Sequence, residues 1–134
     1  MPRHVVNAVA SVLSQDAKDL DGSSVLVLGV AYKKNVGDVR ETPAAPIVED
    51  LQGRGAQVQY HDPLVPTFPK MRRHDLGLHS VPLTEQVVHE ADVVLIVTDH
   101  DDIDFALVAA AAKRVVDTRN VLSEAQVRGV YRRA

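Results

Sequence analysis

The stretch VLVLGVAYKKNVGDVRETPA, residues 25–44, decides the fold. An unbroken apolar run reaches Gly29, the chain turns polar and basic, and Thr42-Pro43-Ala44 then opens a helical pattern. An apolar run that ends on glycine and leads into a helix reads as a buried parallel strand feeding a βα turn. Thr42 suits the N-cap with Pro43 at the first helical position, and Gly53 or Gly55 suits the stop.

The same alternation continues on both sides. Strand-like runs recur at AQVQYHD, ADVVLIVTD and KRVVDT, with a weak one at LHSV. Helix-like segments TPAAPIVEDLQGRG, LTEQVVHEA and FALVAAAAK lie between them. This predicts an α/β fold, a Rossmann-like three-layer domain with a mainly parallel sheet. The opening MPRHVVNAVASVLSQDAKDLDG places Val5, Val6, Val9, Val12 and Leu13 at helical spacing, with Gly22 as the stop. It reads either as a helix docked on the domain or as a connector. The expected division is a connecting helix over residues 1–21 and the α/β domain over 22–134. The proline-rich DPLVPTFPKMRRHDLG is the main irregular loop.

Composition narrows the function. A chain of 134 residues with 46% hydrophobic and 25% charged content suits one soluble domain. Its net charge of −3 supplies no broad basic field for nucleic acid. The absence of cysteine excludes a disulfide, a thiolate metal site and a thiol nucleophile. With no signal-like or membrane-spanning apolar segment, the expected location is the cytoplasm.

In open α/β sheets ligands bind beyond the carboxyl ends of the strands. Four segments should meet there: GVAYKKNVGDVRET, YHDP, TDHDDID and DTRN. The first keeps Gly29 but lacks the later glycines of a dinucleotide fingerprint, through which backbone approaches a pyrophosphate. Lys33 can supply that anion contact as a point charge and Arg40 as a planar fork, although a single loop cation is more often simply solvated.

The run GVAYKKNVGDVRETPA resembles the start of the C-terminal domain of the UDP-glucose/GDP-mannose dehydrogenase family. Gly29, Ala31, Tyr32, Lys33, Asp38, Arg40, Glu41, Thr42, Pro43 and Ala44 match its pattern, and YHDP, EADVVLIVTDH and VVDTRN extend the match in order. MPRHVV is similar to the segment that enters this domain from the family's central helix. The resemblance implies a UDP-sugar-binding domain of an NAD-dependent nucleotide-sugar 6-dehydrogenase, which oxidises a C6 alcohol to a carboxylate in two hydride transfers. It implies that Tyr32 lies against the uridine, Lys33 binds the diphosphate, Arg119 faces the nucleotide or ribose, and Arg40 reaches towards the dinucleotide. It also implies a homo-oligomer completed by NAD-binding and central domains. The KKNVGD loop leans towards enzymes of UDP-N-acetylhexosamines. Because the family's catalytic cysteine and full glycine fingerprint are absent here, no catalytic residue and no tight NAD binding are expected of this chain alone. The alternatives are a freestanding nucleotide-binding or regulatory module and a structural oligomerisation domain, in which an unburied apolar stripe on the opening helix self-associates.

Other candidates have plainer readings. Clustered carboxylates in DHDDID suit a hard cation, but the run lacks an EF-hand's glycine and distal glutamate, so Asp102 or Asp104 is expected to cap the next helix. His4, His61, His74, His79, His89 and His100 show no zinc-site spacing and read as incidental. Asp62 stands where a dinucleotide fold places its ribose-binding acid, yet before a proline it equally suits a turn. Lys70, Arg72, Arg73 and His74 form a basic loop cluster, and the run from Ala109 to Ala112 reads as helix interior.

Overall fold

In a computed structural model, which describes residues 2–69 and 77–134, the apolar runs become a five-stranded, wholly parallel sheet. The strands are β1 (Ser24–Leu28), β2 (Gln57–His61), β3 (Val93–Ile96), β4 (Arg114–Asp117) and β5 (Val130–Arg133), in the order β2-β1-β3-β4-β5. The helices are α1 (Pro2–Ser14), α2 (Ala44–Gly53), α3 (Glu85–Glu90) and α4 (Phe105–Ala111). That strand order is doubly wound, with its switch point between β1 and β3.

Strand periodicity sorts the core into two layers. Val25 and Val27 face α1 and α2, where Val6, Val9, Val12, Leu13, Ile47, Val48 and Leu51 complete one buried cluster. Leu26 and Leu28 face the other way, into a cluster with Val88 of α3 and Val108 of α4. The central strands β3 and β4 are buried throughout, as a parallel sheet covered on both faces requires.

The opening helix is docked. Its apolar stripe is covered by α2 and the sheet rather than left unburied. The helix stops at Ser14 rather than near Gly22: Ala17 takes a left-handed φ of 57° and Gly22 follows at 83°. The polar segment between them is tied to the sheet by Arg114, which donates to Asp16 Oδ2 at 2.8 Å and to the Asp92 carbonyl at 3.1 Å.

Helix α2 shows how local sequence sets its bounds. Thr42 Oγ1 accepts from the Ala44 N–H at 3.2 Å, and Pro43 already has helical dihedrals of −67° and −16°. At the other end Gly55, at φ 93°, donates to the Gln52 carbonyl while Ala56 donates to that of Leu51. This is a Schellman stop, and glycine fits its left-handed position without strain. Two expectations fail at the sheet edges. LHSV forms only isolated bridges, Ser80 to Tyr60 and His79 to Thr67, while the polar VYRR forms β5.

Candidate functional site at the carboxyl edge

Register brings the four expected segments together. Leu28 is level with His61 and Ile96, and Ile96 with Asp117, so the loops after β1, β2, β3 and β4 leave from one edge. At the switch point the β1 and β3 loops touch directly. Gly29 has φ 79°, and a Cβ there would lie 2.6 Å from Thr98 Cβ and closer still to the Thr98 carbonyl oxygen. Thr98 Oγ1 then donates to the Ala31 carbonyl at 2.8 Å. Gly29 therefore admits the neighbouring loop after β3, where the glycines of a dinucleotide fingerprint admit a phosphate.

Behind this contact lies a buried polar chain. Asp62, 1% exposed, accepts from the Val30 N–H at 2.8 Å, from the Leu64 N–H at 2.8 Å and from His100 Nε2 at 2.9 Å. His100 is wholly buried, and its Nδ1 accepts from the Asn35 N–H at 2.7 Å. One imidazole nitrogen accepts and the other donates, so the ring is the neutral Nε2–H tautomer. Asp62 is thus the turn-holding residue of its two readings, with both oxygens committed inside the protein. His100 is not incidental, and no local spacing in the sequence reveals a partner 38 residues away.

The βα turn stands on this base. Lys34 pairs with Asp101 at 3.1 Å, and Asn35 exchanges two hydrogen bonds with Asp101 at 2.9 Å each. The Asn35 amide donor and the Lys34 ammonium hold the Asp101 carboxyl below the usual carboxylate range. Asn35 adopts φ 63°, a left-handed conformation that asparagine tolerates. Tyr32 is 46% exposed and its N–H donates to the Asp38 carbonyl at 2.6 Å. Lys33, between them, is exposed and makes no hydrogen bond or ion pair among the described residues.

Arg40 behaves differently. Its Nε and Nη2 fork onto Asp38, at 3.1 and 2.8 Å to the two carboxylate oxygens. That hydrogen-bonded fork, with the Arg40 N–H, takes the Asp38 carboxyl down to about 2. Tyr32, Asp38, Arg40 and Glu41 line an open depression of about 250 Å³. Arg119 leaves β4 at the same edge and its Nε donates to the Val97 carbonyl at 2.8 Å, which leaves both terminal guanidinium nitrogens without a hydrogen bond among the described residues. Its loop is held by Asp117, which accepts from the N–H groups of Arg119 and Leu122 at 2.9 Å each. The edge therefore brings Tyr32 and Arg40 into one depression, with Lys33 on that same loop after β1 and Arg119 on the loop after β4.

The acidic run carries out the capping role expected of it: Asp104 caps α4, accepting from the Leu107 N–H at 3.1 Å. No cluster of three metal-ligating side chains occurs among the described residues. None of their helices is long and apolar enough to cross a membrane. The basic cluster of Lys70, Arg72, Arg73 and His74 lies outside the described residues.

Comparison with known proteins identifies the family and agrees with the fold. The UDP-binding domain model of the UDP-glucose/GDP-mannose dehydrogenase family matches residues 26–124. A UDP-N-acetyl-D-mannosamine dehydrogenase of Methanocaldococcus jannaschii is 28% identical over 92% of this chain, and a UDP-glucose 6-dehydrogenase of Rhizobium meliloti is 31% identical over 87%. The chain spans only about 27% of the length of either. Among solved structures, an NDP-N-acetyl-D-galactosaminuronic acid dehydrogenase from Methanosarcina mazei superposes with a TM-score of 0.80 at 29% identity, over 98% of this chain and 28% of that one. The chain belongs to the UDP-glucose/GDP-mannose dehydrogenase family and corresponds to its C-terminal, UDP-binding domain.

Proposed function

We propose that this chain forms the UDP-sugar pocket of an NAD-dependent nucleotide-sugar 6-dehydrogenase. Lys33 binds the diphosphate, Tyr32 stacks on the uracil, Arg119 takes a nucleotide or ribose oxygen, and Arg40 reaches across the cleft towards the dinucleotide. The observation that carries this reading is the contrast within one turn. Lys34 and Arg40 are paired with acids, whereas Lys33 stands exposed on a well-anchored loop with no acid against it among the described residues. A half-exposed tyrosine beside a free ammonium suits a base joined to a diphosphate.

The residues here do not fit a resident dinucleotide. Gly29 is packed against Thr98, and Asp62 has its oxygens turned inward, so neither the phosphate nor the ribose contact of a dinucleotide fold is on offer. NAD and the chemistry of hydride transfer therefore belong to other domains of the complete enzyme. Residues 1–21 act as the connector to those domains, and 22–134 as the nucleotide-sugar domain. A 2-acetamido sugar is the substrate class supported by the Methanocaldococcus relative. The cytoplasm is the compartment this reading assigns to the enzyme. Its homo-oligomer uses surfaces other than the covered stripe of α1.

The test is complementation. The amino-terminal and central domains of the Methanocaldococcus relative are mixed with this chain, and NADH formation from UDP-N-acetyl-D-mannosamine is followed. Turnover that needs this chain and falls at least about tenfold with Lys33→Ala is the expected result, since one charge-assisted contact contributes roughly 1.5–3 kcal/mol. Turnover indifferent to Lys33 contradicts the assignment.

A further inference from the structure

We propose that His100, buried beneath the site, is the positioning residue of the Tyr32–Lys33 turn. The inference rests on the function proposed above and concerns what gives that turn its shape before a ligand arrives.

The two ends of the turn are tied to one buried pair. At its start the Val30 N–H donates to Asp62 Oδ2, and at its far end the Asn35 N–H donates to His100 Nδ1. His100 Nε2 closes the circuit onto the same Asp62 oxygen. A single imidazole on β3's loop thus ties the far end of the segment that carries Tyr32 and Lys33 directly, and its near end through Asp62. Both donors are backbone groups, so the tie fixes main-chain geometry whatever side chains the turn bears. Thr98 and Thr42 fasten the Ala31 carbonyl at 2.8 and 3.3 Å, and Asp101 fastens the side chains of Lys34 and Asn35. Between these anchors Tyr32 and Lys33 alone are left to present side chains outward, the arrangement that a preorganised anion site needs.

The pair is also demanding. Asn35 requires an acceptor and Asp62 a donor, and no other uncharged side chain of this size offers both at the two ends of a flat ring. Two substitutions divide these duties. In His100→Asn the amide oxygen falls near the Nδ1 position and can still accept from Asn35, while the donor to Asp62 is lost. In His100→Gln the amide nitrogen falls near Nε2 and can still donate to Asp62, while the Asn35 N–H loses its acceptor. Asparagine is the smaller residue and leaves the larger void, so it lowers thermal stability more.

The experiment measures three quantities in the wild-type chain and in both variants: melting temperature, amide exchange at Asn35, and the dissociation constant for UDP. The positioning role predicts opposite orders. His100→Gln speeds Asn35 exchange by about tenfold and weakens UDP binding by up to about tenfold, the equivalent of one lost hydrogen bond and a smaller competent population. His100→Asn keeps both within about threefold of wild type although it melts lower. If exchange and affinity instead follow melting temperature, with His100→Asn the worse of the two, His100 only fills the core and the inference is overturned. Retention of UDP affinity in a His100→Gln variant whose Asn35 exchanges fast also overturns it. A wild-type chain that ignores UDP refutes the function proposed above, and the Asn35 exchange rates in the two variants then decide the positioning role without it.

Discussion

Replacing Gly29 by alanine tests whether the βα turn is built for packing at the switch point. Two costs add. An L-residue held at φ 79° is strained by about 1–2 kcal/mol. The new methyl would also sit 2.6 Å from Thr98 Cβ and 2.8 Å from its carbonyl carbon, so backbone must move where the β1 and β3 loops meet. Overpacking of that kind costs about 1–3 kcal/mol. The sum, about 2–5 kcal/mol, is a large part of the roughly 5–15 kcal/mol that holds a domain folded. At roughly 4 °C per kcal/mol for a chain of this size, it lowers the melting temperature by about 8–20 °C. Two other glycines separate the causes. Gly22 has φ 83° but nothing within 4 Å of the place an added methyl would take, so Gly22→Ala carries backbone strain alone and loses about 4–8 °C. Gly53 ends α2 with ordinary dihedrals and open space, and Gly53→Ala gains about 0.5–1 kcal/mol. Calorimetry should therefore rank Gly53→Ala above wild type, then Gly22→Ala, then Gly29→Ala. A Gly29→Ala protein that melts with Gly22→Ala would refute the packing argument.

Three further outcomes follow from the geometry. Asp38 should titrate near 2 by carbon NMR and return towards 3.8 in Arg40→Ala; because its folded value is depressed, its contribution to stability is complete above about pH 4 and fades as pH falls through about 2. A wild-type midpoint near 3.8 contradicts the fork between Asp38 and Arg40. Tyr60 is pushed up to about 12, first by burial and then by the nearby Asp62 charge. Its ultraviolet ionisation should fall well above the ordinary tyrosine range, and the stability it contributes is intact below about pH 10 and lost as pH rises through about 12. Arg114→Ala should cost about 1–2 kcal/mol in chemical denaturation and speed amide exchange in residues 15–22, since it removes the fork to Asp16 and the bond to the Asp92 carbonyl; unchanged exchange there would show that α1 is held by its apolar stripe alone.

The central strands were legible because burial on both faces leaves a continuous apolar run, as in VVLI of β3. The edges were not. VYRR is a strand by virtue of pairing with β4 on one side, and its two arginines, one half-buried and one exposed, hide the pattern, while LHSV finds only single bridges. Capping was legible where one local contact decides it, as at Asp104 and Thr42. The end of α1 was not, because Ala17 takes a left-handed conformation that alanine does not announce. At the site, motif spacing located the turn and its cations. What supports the turn stayed hidden, since Asn35 and His100 meet across 65 residues and only the folded register brings them together.

The most direct measurement is a UDP titration of this chain followed by backbone amide shifts. Saturable shifts are expected at Tyr32, Lys33 and Arg119, with affinity reduced at least about tenfold in Lys33→Ala. Saturating UDP that leaves these amides unmoved, or that moves them equally in Lys33→Ala, contradicts the assignment of this turn as the diphosphate site.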